Sequence, residues 1–99
     1  MNILLVCAAG MSTSLLVNRM NDAAKEKGIE VYIEAHPVGS VASYADQSDV
    51  ILLGPQVRYE LKKIQGMYPD KPVEVINMQD YGMMNGQKVL DHAIELLNK

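Results

Sequence analysis

Two unbroken apolar runs, Ile3-Leu4-Leu5-Val6 and Val50-Ile51-Leu52-Leu53, constrain the fold of this chain more than any other feature. A strand with water on one side alternates apolar and polar residues. A strand that is apolar at every position has to be covered on both faces, the situation of central strands in a parallel sheet. Glu30-Val31-Tyr32-Ile33-Glu34-Ala35 alternates instead, and Val73-Glu74-Val75-Ile76 carries a charge, as expected of strands at the sheet edges.

Helical stripes separate these segments. Leu16, Met20, Ala23 and Ala24 form one stripe, opened by a Ser/Thr cluster suited to capping and closed by Lys27-Gly28. Val57, Leu61 and Ile64 form a second, ending at Gly66 with Pro69 beyond, and Val41, Tyr44 and Ala45 suit a short helix. Val89, Leu90, Ala93, Ile94 and Leu97 form the last, with Lys88, Asp91, His92 and Glu95 opposite. Strand therefore alternates with helix four times, which predicts an open four-stranded α/β parallel sheet with helices on both faces. Right-handed crossovers and two central apolar strands give the order 2-1-3-4. The chain direction then reverses beside strand 1, and ligands of such sheets bind beyond the carboxyl ends of the strands at that point. Cys7 is where strand 1 ends.

At 99 residues the chain has room for one core, so residues 1–99 are expected to form a single domain. Nine basic residues against twelve acidic ones give a net charge of −3, which argues against nucleic acid or an anionic membrane surface as a partner. The longest apolar run, Ile3 to Ala9, falls far short of the ~20 residues of a membrane span, and no basic leader precedes it. A cytoplasmic protein without membrane insertion is expected. The single cysteine forms no internal disulfide, and no Cys/His cluster suggests a metal.

The chemistry concentrates in Cys7-Ala8-Ala9-Gly10-Met11-Ser12-Thr13-Ser14, between a central strand and the first helix. Gly10 relaxes the backbone, Ala8 and Ala9 allow close approach of a ligand, and Ser12, Thr13 and Ser14 add hydroxyls near the helix start. Amides converging there, backed by the positive end of a helix dipole, suit a tetrahedral dianion. The same surroundings favour a thiolate, the nucleophilic form of cysteine. An attacking sulfur beside an oxyanion cradle suggests phosphoryl transfer through a phosphocysteine, with residues 8 to 14 holding the phosphoryl oxygens and no metal or organic cofactor. The competing reading makes Cys7 a small buried residue finishing a strand and the loop an ordinary tight turn.

The run Leu5-Val6-Cys7-Ala8-Ala9-Gly10-Met11-Ser12-Thr13-Ser14-Leu15-Leu16-Val17, with Asp49-Val50-Ile51-Leu52-Leu53-Gly54-Pro55-Gln56 and Lys71-Pro72-Val73-Glu74-Val75-Ile76, resembles the enzyme IIB subunit of the bacterial sugar phosphotransferase system, lactose/cellobiose (chitobiose) type. The likeness spans essentially the whole chain, and the loop shows no departure from the family pattern. It implies a phosphocysteine at Cys7, a phosphohistidine donor on enzyme IIA, and delivery to a sugar held by the membrane component IIC. Which sugar is carried does not follow, because selectivity should reside in the membrane partner.

The implied fold is flavodoxin-like and similar to low-molecular-weight tyrosine phosphatases, which makes a phosphatase the first alternative function. Those enzymes carry an Arg six residues after the Cys, and here that position is Thr13. An arginine clamp can contribute roughly 10³–10⁵ in phosphoryl transfer, so its absence predicts a phosphocysteine that persists. Arg19 lies well into the first helix on its polar side. A flavodoxin-like FMN binder is the other alternative, though no Trp is available for ring stacking. A receiver domain fits poorly, since strand 1 ends in a thiol and Asp49 precedes strand 3.

Met11 and Leu15 place apolar side chains beside the loop, which suits a protein partner and suggests docking around Cys7. Pro55 and Gln56 after strand 3, and Tyr81 and Met83 after strand 4, are expected to rim the same site. Asp80-Tyr81-Gly82 is expected as a loop, with Tyr81 a candidate phosphate contact, and Met84 joins Met83 as a possible exposed patch. His36 is expected to follow strand 2, either as a solvent-facing loop residue or as an acid or base for Cys7. His92 is expected to be solvated.

Overall fold

The computed structural model describes residues 1–8 and 14–98. Its sheet is parallel throughout: β1 (Asn2–Cys7) pairs with β2 (Tyr32–Pro37) and β3 (Val50–Leu53), and β3 pairs with β4 (Val73–Val75), in the order β2-β1-β3-β4. β3 is buried at every position and β1 at every position after Asn2. The unbroken apolar runs are thus explained by cover on both faces.

Alternate residues of the strands feed two separate cores. Ile3, Leu5, Val50 and Leu52 meet α1 (Ser14–Lys27) and α5 (Gly86–Leu97) through Leu16, Met20, Leu90 and Ala93. Leu4, Val6, Ile51 and Leu53 meet α2 (Val41–Tyr44) and α3 (Leu61–Met67) through Val41 and Ile64. The two helices of the first face pack so closely that a Cβ added at Gly86 would collide with the backbone of Arg19 and Met20.

The α1 stripe is buried at Leu16, Met20, Ala23 and Ala24, as its spacing predicts, and Gly28 ends the helix with φ +71°, a backbone angle for which glycine is suited. Several boundaries differ from expectation. β2 begins at Tyr32, two residues later than the alternation suggests, because Tyr32 N–H donates to Met1 O at 2.9 Å and the ladder pairs Tyr32 with Asn2. The Val57 stripe opens as a 3-10 turn, Pro55–Glu60, and becomes α-helical from Leu61 through Gly66 to Met67. In α5 the buried partner of Val89, Leu90 and Ala93 is Leu96, whereas Ile94 and Leu97 are half-buried.

The simple alternation of strand and helix also gains an element. Between β4 and α5 stands a short helix, α4 (Met78–Gly82), where a loop was expected. Asn77 makes it possible: its Oδ1 accepts from the amides of Gln79 and Asp80 at 2.9 and 3.1 Å, satisfying groups that the first helical turn leaves unpaired. No helix among the described residues is long and apolar enough to cross a membrane.

Candidate active site

Cys7 is the last residue of β1 and stands where the strand order reverses, between β2 on one side and β3 on the other. Its ladder partner on β2 is Pro37, and the preceding Val6 is flanked by His36 and Leu53. The strand ends are tied together beyond the last ladder pairs. Gly54 N–H donates to Val6 O and Ile76 N–H to Leu53 O, each at 2.8 Å.

The thiol is buried, with 1% of the residue exposed, and it donates to the main-chain carbonyl of His36 at 3.6 Å, a distance ordinary for sulfur. Ala8 follows as an exposed residue, and Ser14, also exposed, opens α1. Ala9, Gly10, Met11, Ser12 and Thr13 lie outside the described residues, so the phosphate-holding roles expected of them, and the docking role of Met11, have no geometry to set beside them. The first turn of α1 holds no acidic side chain, and Lys25 and Lys27 stand in its last turn. The positive end of the helix dipole consequently faces the chain coming from Cys7 without a carboxylate to compete with an incoming anion.

His36 is not the loop residue expected. It lies within β2, paired with Val6, so its side chain falls on the Val6 face of the sheet, and alternation sends the Cys7 side chain to the other. Its ring stacks on Tyr44, with centroids 3.5 Å and planes 5° apart. Nε2 lies 3.7 Å from Glu34 Oε1, too far for a hydrogen bond, and is buried without a hydrogen-bond partner among the described residues. With the sheet between them, this imidazole cannot serve Cys7 as an acid or base.

Tyr81 also differs from expectation. It sits in α4 and is buried with Ile76, Val89 and Leu90, because α4 turns this position toward the sheet. A Cβ at Gly54 would lie 3.5 Å from Tyr81 Cε2 and 3.5 Å from Val6 O, so the ring reaches the end of β3 as a packing surface. Of the other expected rim residues, Leu15 and Met83 are 49% and 63% exposed, Gln56 is exposed, and Pro55 is half-buried. Met84 is half-buried against the α1/α5 core, with φ +52°, so the patch is Met83 alone. Arg19 occupies the exposed side of α1 and its Nη1 donates to the carbonyls of Met83 and Met84 at 3.4 and 3.3 Å, holding the carbonyl end of α4. His92 is half-buried beside Val75 and Asp80 because α5 lays that face over the end of β4.

Sequence reasoning missed a groove of about 560 Å³ between the turn after β3 and α4, lined by Pro55, Gln56, Arg58, Tyr59, Met78 and Tyr81. Tyr59 and Met78 are 74% and 62% exposed there. Tyr59 falls off the Val57, Leu61, Ile64 stripe, and that displacement of an aromatic residue from the apolar face was the available signal. A larger hollow of about 760 Å³ lies near Met1, Asn18 and Tyr32, where the strands begin, and contains none of the candidate residues.

The model of the PTS system, Lactose/Cellobiose specific IIB subunit family matches residues 2–92. The chain belongs to this family. It is 44% identical to the PTS system galactose-specific EIIB component of Lactococcus lactis subsp. cremoris over 97% of its own length and 95% of the relative's. The solution structure of the cellobiose-specific phosphotransferase IIB component protein from Borrelia burgdorferi superimposes with a TM-score of 0.82 at 49% identity, covering 99% of this chain and 92% of the other. The PTS system lactose-specific EIICB component of Lacticaseibacillus casei is 29% identical over 91% of this chain, a match that takes up 16% of that longer protein. As a family member the chain is a phosphotransferase component that carries phosphoryl groups in sugar uptake, with enzyme IIA and a IIC component as its partners.

Proposed function

We propose that Cys7 is the residue that carries the phosphoryl group. The observation that supports this most is its position: the last residue of a central strand, at the reversal of strand order, one loop before the N-terminus of α1. The thiol attacks phosphorus of a phosphohistidine on enzyme IIA. An Sγ–P bond forms, the N–P bond breaks, and the thiol proton goes to the released imidazole. The amides of residues 8 to 14 then hold the phosphoryl oxygens until a sugar hydroxyl in the IIC component takes the group. The sugar belongs to the lactose, cellobiose or chitobiose class. The transfer takes place in the cytoplasm, and residues 1–99 act as one carrier domain.

Docking uses the rim of that site. Leu15, Gln56 and Met83 present exposed surface, and Tyr59 and Met78 extend it along the groove after β3. Tyr81 supports this face from beneath. Incubation with the upstream phosphoryl donors followed by mass spectrometry should find one phosphoryl group, on Cys7. A Cys7→Ser protein labelled as fast as the parent, or a phosphoryl group on another residue, would refute the assignment. A phosphorylated form hydrolysing at a phosphatase's pace without the sugar component would favour the phosphatase alternative.

A further inference from the structure

We propose that Arg58 recognises the donor's phosphoryl group and draws phosphorylated enzyme IIA onto the Cys7 end of the sheet. The inference rests on Cys7 as the phosphoryl acceptor and adds to it a residue outside the loop that follows β1. Arg58 belongs to the 3-10 turn Pro55–Glu60 after β3 and lines the groove there with Gln56 and Tyr81. That groove adjoins the end of β1. A Cβ at Gly54 would stand 3.5 Å from the Tyr81 ring, and Gly54 N–H donates to the carbonyl of Val6, the residue before Cys7. Arg58 is exposed, and among the described residues its guanidinium makes neither an ion pair nor a hydrogen bond. Arg19, by contrast, is engaged by the carbonyls of Met83 and Met84.

The distribution of charge gives this side chain its role. A chain of net charge −3 repels a phosphoryl dianion as a whole, yet the segments at the carboxyl ends of the strands are poor in acidic residues. Pro37 to Tyr44 carries no Asp, Glu, Lys or Arg, Leu53 to Tyr59 carries Arg58 alone, and Val75 to Gln87 carries Asp80 alone. Asp80 is half-buried and shares its hollow beyond β4 with Lys88, which offsets it. Glu60 does not line the groove, and the first turn of α1 holds no acidic side chain. Arg58 is thus an unengaged cation at the one end of an acidic molecule where a dianion has to arrive. Its planar fork of donors matches phosphoryl oxygens, so attraction at a distance can end in hydrogen bonds at the rim. Arg58 forms no covalent bond and moves no proton: S–P forms as N–P breaks, and the guanidinium stays charged throughout.

The test follows phosphoryl transfer from phosphorylated enzyme IIA to the full chain by rapid quenching and mass spectrometry, for the parent, Arg58→Gln, Arg58→Lys and Lys25→Gln. One cation acting on a dianion about 10 Å away in water changes an encounter by roughly fourfold. At about 0.01 M salt, kcat/KM should therefore fall by roughly that factor in Arg58→Gln while kcat holds, and at about 0.5 M salt the difference should vanish. Arg58→Lys keeps the charge and should retain most of the parent's kcat/KM. Lys25→Gln removes the same charge from the last turn of α1 and should match the parent. Calorimetry with unphosphorylated enzyme IIA should show one affinity for the parent and Arg58→Gln. A parent-like kcat/KM in Arg58→Gln at low salt would overturn the inference, as would a loss that persists at high salt or an equal loss in Lys25→Gln. Weaker binding of unphosphorylated enzyme IIA by Arg58→Gln would transfer the contact to a carboxylate of the partner and overturn the phosphoryl assignment. If Cys7 accepts no phosphoryl group in the parent protein, the acceptor assignment fails; normal transfer to Cys7 that is unaltered in Arg58→Gln refutes the Arg58 role alone.

Discussion

Cys7 and His36 touch across the β1–β2 seam, thiol to carbonyl, while their side chains leave the sheet on opposite faces. Neighbouring residues of paired strands share a face, so pairing His36 with Val6 excludes its imidazole from the side on which Cys7 lies. A shift of that ladder by one residue would have placed histidine and cysteine side by side and suggested an acid–base pair. Register, more than proximity, decides what His36 can do.

Among the described residues, the two buried glycines, Gly54 and Gly86, should respond differently to alanine. At Gly86 a Cβ meets the fixed backbone of Arg19 and Met20, so Gly86→Ala has to push α5 away from α1. A loss of about 2–3 kcal/mol is expected in urea unfolding followed by circular dichroism. At Gly54 the nearest neighbour is the end of the flexible Gln56 side chain at 3.0 Å, with Tyr81 and Val6 at ordinary contact distance. Gly54→Ala should cost less than about 1 kcal/mol. Equal losses at the two positions would contradict this account of the α1–α5 contact.

Tyr59→Ser and Met78→Ser remove exposed apolar surface from the groove without opening the core. Stability should stay within about 0.5 kcal/mol of the parent. If the groove belongs to the docking face, the double variant should weaken binding to enzyme IIA or IIC by about tenfold, as truncation of a central aromatic contact commonly does. Titration calorimetry with each partner provides the measurement. An unchanged affinity for both partners would remove these residues from the docking face.

Asn77 holds α4 by accepting from two amides of its first turn, and α4 in turn carries Tyr81 into the core. Asn77→Ala should reduce stability by about 1 kcal/mol, and Asn77→Asp, which keeps the acceptor, should restore most of it. Amide exchange near Gln79 and Asp80 should quicken in the alanine variant. Unaltered exchange there would show that the cap does not hold this helix.

Much of the architecture was visible in residue types. The apolar runs at Ile3–Val6 and Val50–Leu53 required cover on both faces, and the spacing of Leu16, Met20, Ala23 and Ala24 marked the buried side of α1. α4 was not visible, because a five-residue helix has no room for periodicity and depends on one capping side chain. The groove was hidden for a related reason. It joins the turn after β3 to α4, segments whose adjacency arises only when β3 and β4 pair.

By itself, the sequence determined the layered parallel sheet, the place of Cys7 at the end of its central strand and the family to which the chain belongs. Each follows from local pattern: continuous hydrophobicity, helical spacing and a contiguous loop motif. Tertiary structure alone decided that the imidazole of His36 turns away from the thiol, that its carbonyl accepts from Cys7, and that Tyr81 is buried while Tyr59 is exposed. Those outcomes depend on ladder register and on which helix covers which face, relationships between residues far apart in the chain that no local pattern encodes.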